Sequence, residues 1–111
     1  MTYNLAFIPS SEGEWDQLDG SIKRQFKKAL KKRLKEPRPP GAKLHGHDDL
    51  YKIKLRRYGY RLIYQVVDET LIVKVIAVGR RDKSAVYQIM NERLKDLEEQ
   101  ETIVPERKDS P

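Results

Sequence analysis

Lys52, Lys54, Arg61 and Arg81 are four cations drawn from one stretch of the chain, and Tyr87 follows shortly after the last of them. Cleavage of RNA by its own 2′-hydroxyl needs a base to take the hydroxyl proton, cations to hold the pentacoordinate phosphorane, and an acid to protonate the departing 5′-oxygen. A packed cluster of lysine and arginine can supply all three, because neighbouring like charges lower a lysine pKa from about 10.4 and make the neutral amine accessible. Lys52 or Lys54 would then be the base. Arg61 and Arg81 suit the phosphate through their forked donors. Tyr87 could either stack on a base or handle a proton.

Such a cluster requires a surface that gathers residues far apart in sequence, and alternating strands provide one. In a strand over 50–56, Tyr51, Ile53 and Leu55 share one face while Lys52, Lys54 and Arg56 share the other. A turn through Arg57, Tyr58 and Gly59 returns the chain over 60–67. Pairing Tyr60 with Leu55, Leu62 with Ile53 and Tyr64 with Tyr51 keeps the large apolar groups together and sets Arg61 opposite Lys54. A second turn at Asp68 and Glu69 sends a strand over 71–78 back alongside, so that its far end, running into Arg80 and Arg81, finishes beside the start of the strand over 60–67 and Arg81 arrives close to Arg61. The competing reading is a row of solvated charges on a half-buried sheet. Between Lys52 and Arg61, however, there are five cations and no Asp or Glu, and a fold tolerates that self-repulsion more readily when an anion occupies the site.

Ahead of these strands, residues 3–8 read as a strand with Tyr3, Leu5 and Phe7 on one face, ended by Pro9. Ser10 or Ser11 is placed to cap a short helix holding Trp15 and Leu18. A second helix from Ser21 carries Ile22, Phe26, Ala29, Leu30 and Leu34 on one stripe and a basic exterior, including Lys27 and Lys31, that can track phosphates. Pro37, Pro39 and Pro40 stop it. After a loop over 41–49 and the three strands, a last helix over 84–99 turns Val86, Met90, Leu94 and Leu97 inward. The order β-α-α-β-β-β-α predicts an α+β fold, a small antiparallel sheet packed with helices. Residues 1–99 form a single domain and 100–111 a flexible tail.

Composition narrows the function. The 111 residues suit one core, and the absence of cysteine removes disulfides and thiolate metal sites and fits a cytoplasmic location. No segment reads as a signal peptide or membrane span. Residues 1–91 carry 19 Lys and Arg against 10 Asp and Glu, whereas residues 92–111 carry 4 against 7, so a basic body with an acidic tail points to a polyanionic partner such as RNA or DNA. His45 and His47 share a loop with no third ligand beside them, which argues against zinc. His45 is the better placed of the two to contact RNA. No metal or other cofactor is called for.

Lys43-Leu-His-Gly46, Tyr51-Lys-Ile-Lys-Leu-Arg56, Gly59-Tyr-Arg-Leu-Ile-Tyr-Gln-Val66 and Val78-Gly-Arg-Arg-Asp-Lys-Ser-Ala-Val-Tyr87 resemble the RelE family of bacterial toxins over residues 2–95. The resemblance implies a toxin of a type II toxin–antitoxin system: a ribosome-dependent messenger RNA endonuclease that cuts in the A site of the 70S ribosome and leaves a 2′,3′-cyclic phosphate and a 5′-hydroxyl. It implies neutralisation by a RelB-like antitoxin and contact with operator DNA only through that antitoxin. Carried over by residue, it gives the base role to Lys52, transition-state stabilisation to Lys54 and Arg61, leaving-group assistance to Arg81, and substrate stacking or orientation to Tyr87. His45, Arg56, Arg80, Lys27 and Lys31 would contact RNA. The family often has arginine where this chain has His45, which makes that contact depend on pH. The alternative is a ParE-like relative that inhibits DNA gyrase by binding, without chemistry of its own.

Overall fold

The computed structural model describes residues 2–80 and 85–103. The order is β1 (Asn4–Phe7), α1 (Pro9–Asp16), α2 (Gly20–Lys35), β2 (Leu50–Leu55), β3 (Tyr60–Val67), β4 (Ile72–Arg80) and α3 (Ala85–Ile103). The α+β architecture is the expected one. The four strands lie in the order β1-β4-β3-β2. β2, β3 and β4 form an antiparallel meander, and β1 joins β4 in parallel, so the sheet is mixed rather than wholly antiparallel. A parallel neighbour cannot be reached by a tight hairpin, and here the two helices and the meander separate β1 from β4 in sequence. Among the described residues no helix is long and apolar enough to cross a membrane.

The β2–β3 register is the one read from sequence: Tyr51 opposite Tyr64, Ile53 opposite Leu62, Lys54 opposite Arg61 and Leu55 opposite Tyr60. The tight turn closes with Tyr58 and Gly59 both donating to the Leu55 carbonyl, at 3.0 and 2.9 Å. Gly59 adopts a φ of 71°, a conformation that costs a glycine little.

The sheet is buried on both faces. On one, Phe26 and Leu30 of α2 pack with Tyr51, Ile53, Leu62, Tyr64, Val66, Val73, Val75 and Val78, and Trp15 of α1 joins Phe7 to Phe26 through ring contacts of 5.3 and 6.2 Å. On the other, Val86 and Met90 of α3 cover Leu50, Ile63, Ile76 and Ala77. Full burial of each large apolar side chain contributes about 1.5–3 kcal/mol. Leu94 packs against this second core, and the side chain of Leu97 lies outside the described residues. Leu5, expected on one face with Tyr3 and Phe7, is the one large apolar group left exposed among the described residues.

Two local expectations change. Ser10 and Ser11 do not cap α1: Ile8 holds the cap position with Pro9 starting the helix, which suits a residue lacking the N–H that a first turn leaves unused. Ser11 is instead fully buried, donating to the carbonyls of Ile8 at 3.0 Å and Val75 at 2.7 Å, so its hydroxyl ties α1 to β4. α3 also runs four residues past the expected end at Glu99, to Ile103; the remainder of the expected tail, 104–111, lies outside the described residues.

Candidate active site

The face that α3 covers is apolar only in part. Beyond Ile63, β3 presents Arg61 on that same side, and β2 presents Lys52 and Lys54. Lys54 and Arg61 are direct cross-strand partners, which brings their Cβ atoms to about 4.5–5.5 Å. Like charges in such positions oppose folding. Lys52 is half-buried beside Ile63, and Lys54 is exposed.

Arg61 is flanked on β4 by Gly79. Glycine adds no side chain there, and a Cβ built on it would have Val86 of α3 as its nearest neighbour at 4.0 Å. The first turn of α3 therefore sits over the gap, and the next residue, Tyr87, reaches Arg61. The Arg61 Nη1 donates to the Tyr87 hydroxyl at 2.6 Å, and the guanidinium carbon lies 5.7 Å from the ring centroid. Lys54, Arg61 and Tyr87 thus come from three elements to one patch. Arg81, the fourth expected cation, lies outside the described residues.

The remaining expected RNA contacts divide. Arg56 is exposed just past the end of β2 and shares a cleft with Lys52 and Lys54. Arg80 does not join the patch. β3 and β4 shift register between Ile63 and Tyr64: Ala77 pairs with Ile63 and Val75 with Tyr64, leaving Ile76 as the extra residue. Such a bulge reverses the faces of everything beyond it. Ile76 and Ala77 both turn toward α3, Val78 turns toward α2, and Arg80 follows Val78, where it lies 5.4 Å over the Tyr60 ring. Lys27 and Lys31 are exposed on α2, the helix packed on that opposite face. His45 is exposed in the loop before β2 and lines a hollow with Lys43, His47 and Asp48 that includes no lysine or arginine of the patch.

Two polar groups missed in the sequence hold the frame. Glu14 of α1 and Arg93 of α3 form a forked ion pair, Nη1 to Oε1 at 2.9 Å and Nη2 to Oε2 at 2.8 Å. Arg93 also donates to the Ile76 carbonyl at 2.9 Å, and Glu14 accepts from the Val78 amide at 3.0 Å. β1 ends at Phe7, paired with Val75, so this pair takes over the β4 edge where β1 stops and fixes α3, and with it Tyr87, against the sheet. On the other face Arg33 of α2 donates from Nη1 to the Lys52 carbonyl at 3.1 Å and to the Tyr64 hydroxyl at 2.8 Å. One signal did exist for Arg33: it lies seven residues after Phe26, inside the apolar stripe of α2.

Comparison with known proteins agrees with this geometry. Residues 5–85 match the family described as the ParE toxin of the type II toxin–antitoxin system parDE. A RelE-like toxin protein of Escherichia coli is 50% identical over 95 residues, spanning 86% of this chain and 100% of that one. The mRNA interferase toxin RelE of Escherichia coli K12 is 48% identical over 87 residues, 78% of this chain and 92% of that protein. Among solved structures, an arginine-to-alanine mutant of Escherichia coli RelE in the free state superposes with a TM-score of 0.79 at 45% identity, covering 85% of this chain and 99% of that one. RelE in the intact Escherichia coli RelBE toxin–antitoxin complex gives a TM-score of 0.70 at 46% identity, over 73% and 99% of the two chains. With the strand order, the meander register and the cross-strand cations in place beside these identities, the chain belongs to the RelE toxins of the RelE/ParE superfamily of type II toxin–antitoxin systems.

Proposed function

We propose that this toxin is an mRNA interferase, an endoribonuclease that cleaves messages in the ribosomal A site through the Lys52, Lys54, Arg61, Arg81 and Tyr87 set. The observation that carries the reading is the Arg61–Tyr87 pair set beside Lys52 and Lys54 on the sheet face that α3 covers, in a chain 48% identical to proteins named mRNA interferase. In the reaction the 2′-oxygen attacks phosphorus as Lys52 takes the hydroxyl proton. Lys54 and Arg61 stabilise the charge that builds on the phosphorane oxygens. The P–O5′ bond breaks, Arg81 holds the departing 5′-oxygen by a hydrogen bond while water supplies its proton, and a 2′,3′-cyclic phosphate and a 5′-hydroxyl remain. Tyr87 holds the Arg61 guanidinium through its phenol oxygen and offers its ring to a base. The ribosome supplies the bound, extended message.

A RelB-like antitoxin is the expected neutralising partner, since RelE relatives of similar identity have been solved in complex with RelB. Gyrase inhibition is the second reading, favoured by the ParE description of the matching family. Purified toxin in a reconstituted translation reaction, with message ends mapped by primer extension, separates the two. New 5′ ends within A-site codons, lost without ribosomes and lost in Arg61→Ala and Arg81→Ala, are the expected result. Stalled translation on intact messages would sink cleavage, and unaffected translation with inhibited supercoiling would establish the gyrase reading.

A further inference from the structure

Beside the catalytic patch, around the outer edge of β2, lies a cleft of about 280 Å³. Arg33 near the end of α2, Pro39 and Pro40 of the following segment, and Lys52, Lys54 and Arg56 line it. Its lining holds four cations and no carboxylate. Arg33 is held in place there: its Nη1 is committed to the Lys52 carbonyl and the Tyr64 hydroxyl, and its guanidinium lies 5.7 Å over the Tyr64 ring. Neither Nε nor Nη2 bonds another described residue, so the rest of the fork is fixed in position without a protein acceptor. The contrast with other arginines is direct. Arg38 and Arg93 spend both terminal nitrogens on Asp68 and Glu14, whereas Arg33, Lys52 and Arg56 have no carboxylate partner among the described residues. An immobilised arginine fork facing a cavity of one charge sign is suited to a tetrahedral oxyanion.

We propose that this cleft is a second phosphate subsite, which takes an RNA phosphodiester other than the scissile one, with Arg33 as its fixed ligand and Arg56 at its rim. The inference rests on the nuclease reading and extends it. Lys52 and Lys54 stand between the two positions, so a strand lying on the patch would continue around the β2 edge into the cleft. The phosphate can come from the message or from ribosomal RNA.

Two assays distinguish these sources. The first is fluorescence anisotropy with a labelled single-stranded RNA whose riboses are 2′-O-methylated and so cannot be cut, titrated with wild type, Arg33→Ala, Arg33→Lys and Arg56→Ala across a salt series. The second is cosedimentation of the same proteins with 70S ribosomes lacking message. If the message fills the cleft, the alanine variants lose about tenfold in oligonucleotide affinity, and the slope of log K against log salt falls by about 0.7, the loss of one phosphate contact on a single strand. Arg33→Lys falls between, keeping charge without the fork. If ribosomal RNA fills it, oligonucleotide binding stays at the wild-type value and the loss moves to the ribosome assay. Wild-type affinity and salt slope for Arg56→Ala and Arg33→Ala in both assays overturn the subsite. Arg56 makes no structural bond among the described residues, so Arg56→Ala decides the matter if Arg33→Ala fails to fold. Neither assay needs a bond to break: a wild type that binds here but cuts no message in the translation reaction sinks the nuclease reading and leaves the subsite standing.

Discussion

Two arginine–tyrosine pairs sit on opposite faces of one sheet with nearly the same geometry. Arg33 lies 5.7 Å over Tyr64 and donates to its hydroxyl at 2.8 Å; Arg61 lies 5.7 Å over Tyr87 and donates at 2.6 Å. Their surroundings differ. Tyr64 is fully buried, donates its own proton to the Pro37 carbonyl at 2.6 Å and stacks on Tyr51 at 5.9 Å. Burial pushes its phenol above the ordinary value, against the pull of Arg33, so it remains a neutral donor. Arg61 and Tyr87 are only half-buried, and no other described residue bonds the Tyr87 hydroxyl. The same contact is a strut where the phenol proton has a protein acceptor in the core, and a site where both partners stay open to a ligand.

The comparison breaks first at Arg61. Arg61→Ala should lower message cleavage by about 10²–10³-fold, the usual cost of one transition-state donor, with the thermal midpoint unchanged or raised as the Lys54 repulsion is relieved. A loss of folding instead would make Arg61 a strut like Arg33. Tyr64→Phe should do the opposite, costing about 1–3 kcal/mol in urea unfolding because the Pro37 carbonyl and Arg33 lose a buried partner, while cleavage per folded molecule changes little. At Tyr87 the ring and the hydroxyl can be separated. Tyr87→Leu should cost about tenfold in cleavage through lost stacking, Tyr87→Phe less, and both should stay within about 0.5 kcal/mol of wild type in stability.

A third tyrosine meets an arginine only through a carboxylate and gives the smallest effect. Tyr3 donates to Asp68 Oδ1 at 2.6 Å, and Arg38 grips both oxygens at 3.1 and 2.8 Å. Arg38, then Tyr3, holds the Asp68 carboxyl below its ordinary value. A depressed carboxylate contributes stability that is present above the unfolded value of about 3.9 and is lost as pH falls through the native one. Asp68→Asn should therefore flatten the acid limb of the stability profile below about pH 4. The effect should be slight and vanish in high salt, because the group is exposed; an unchanged limb in low salt would remove Asp68 from the account.

The meander was legible because β2 alternates from Tyr51 to Leu55 and Gly59 fixes where it turns, so the register that sets Lys54 against Arg61 followed from keeping Tyr51, Ile53 and Leu55 on one side. The bulge at Ile76 was not. Val75 to Val78 is an unbroken apolar run buried on both faces, and a run with no alternation carries no mark of where its parity changes. The face that Arg80 takes, over the Tyr60 ring, was not legible for that reason. The second core under α3 was hidden similarly, since Leu50 and Ile63 share their face with Lys52 and Arg61, and the charges dominated the pattern.

The sequence by itself determined the elements, the β2–β3 pairing and the cationic character of one face, because period, turn chemistry and charge are local properties of a chain. Tertiary structure decided what local pattern cannot encode. It set β1 in parallel beside β4, sealed the β4 edge with Glu14 and Arg93, turned Arg80 away and brought Tyr87 onto Arg61 across the gap at Gly79. It also closed one tyrosine of the two arginine–tyrosine pairs into the core and left the other open, since that difference lies in which distant groups exclude water from each ring.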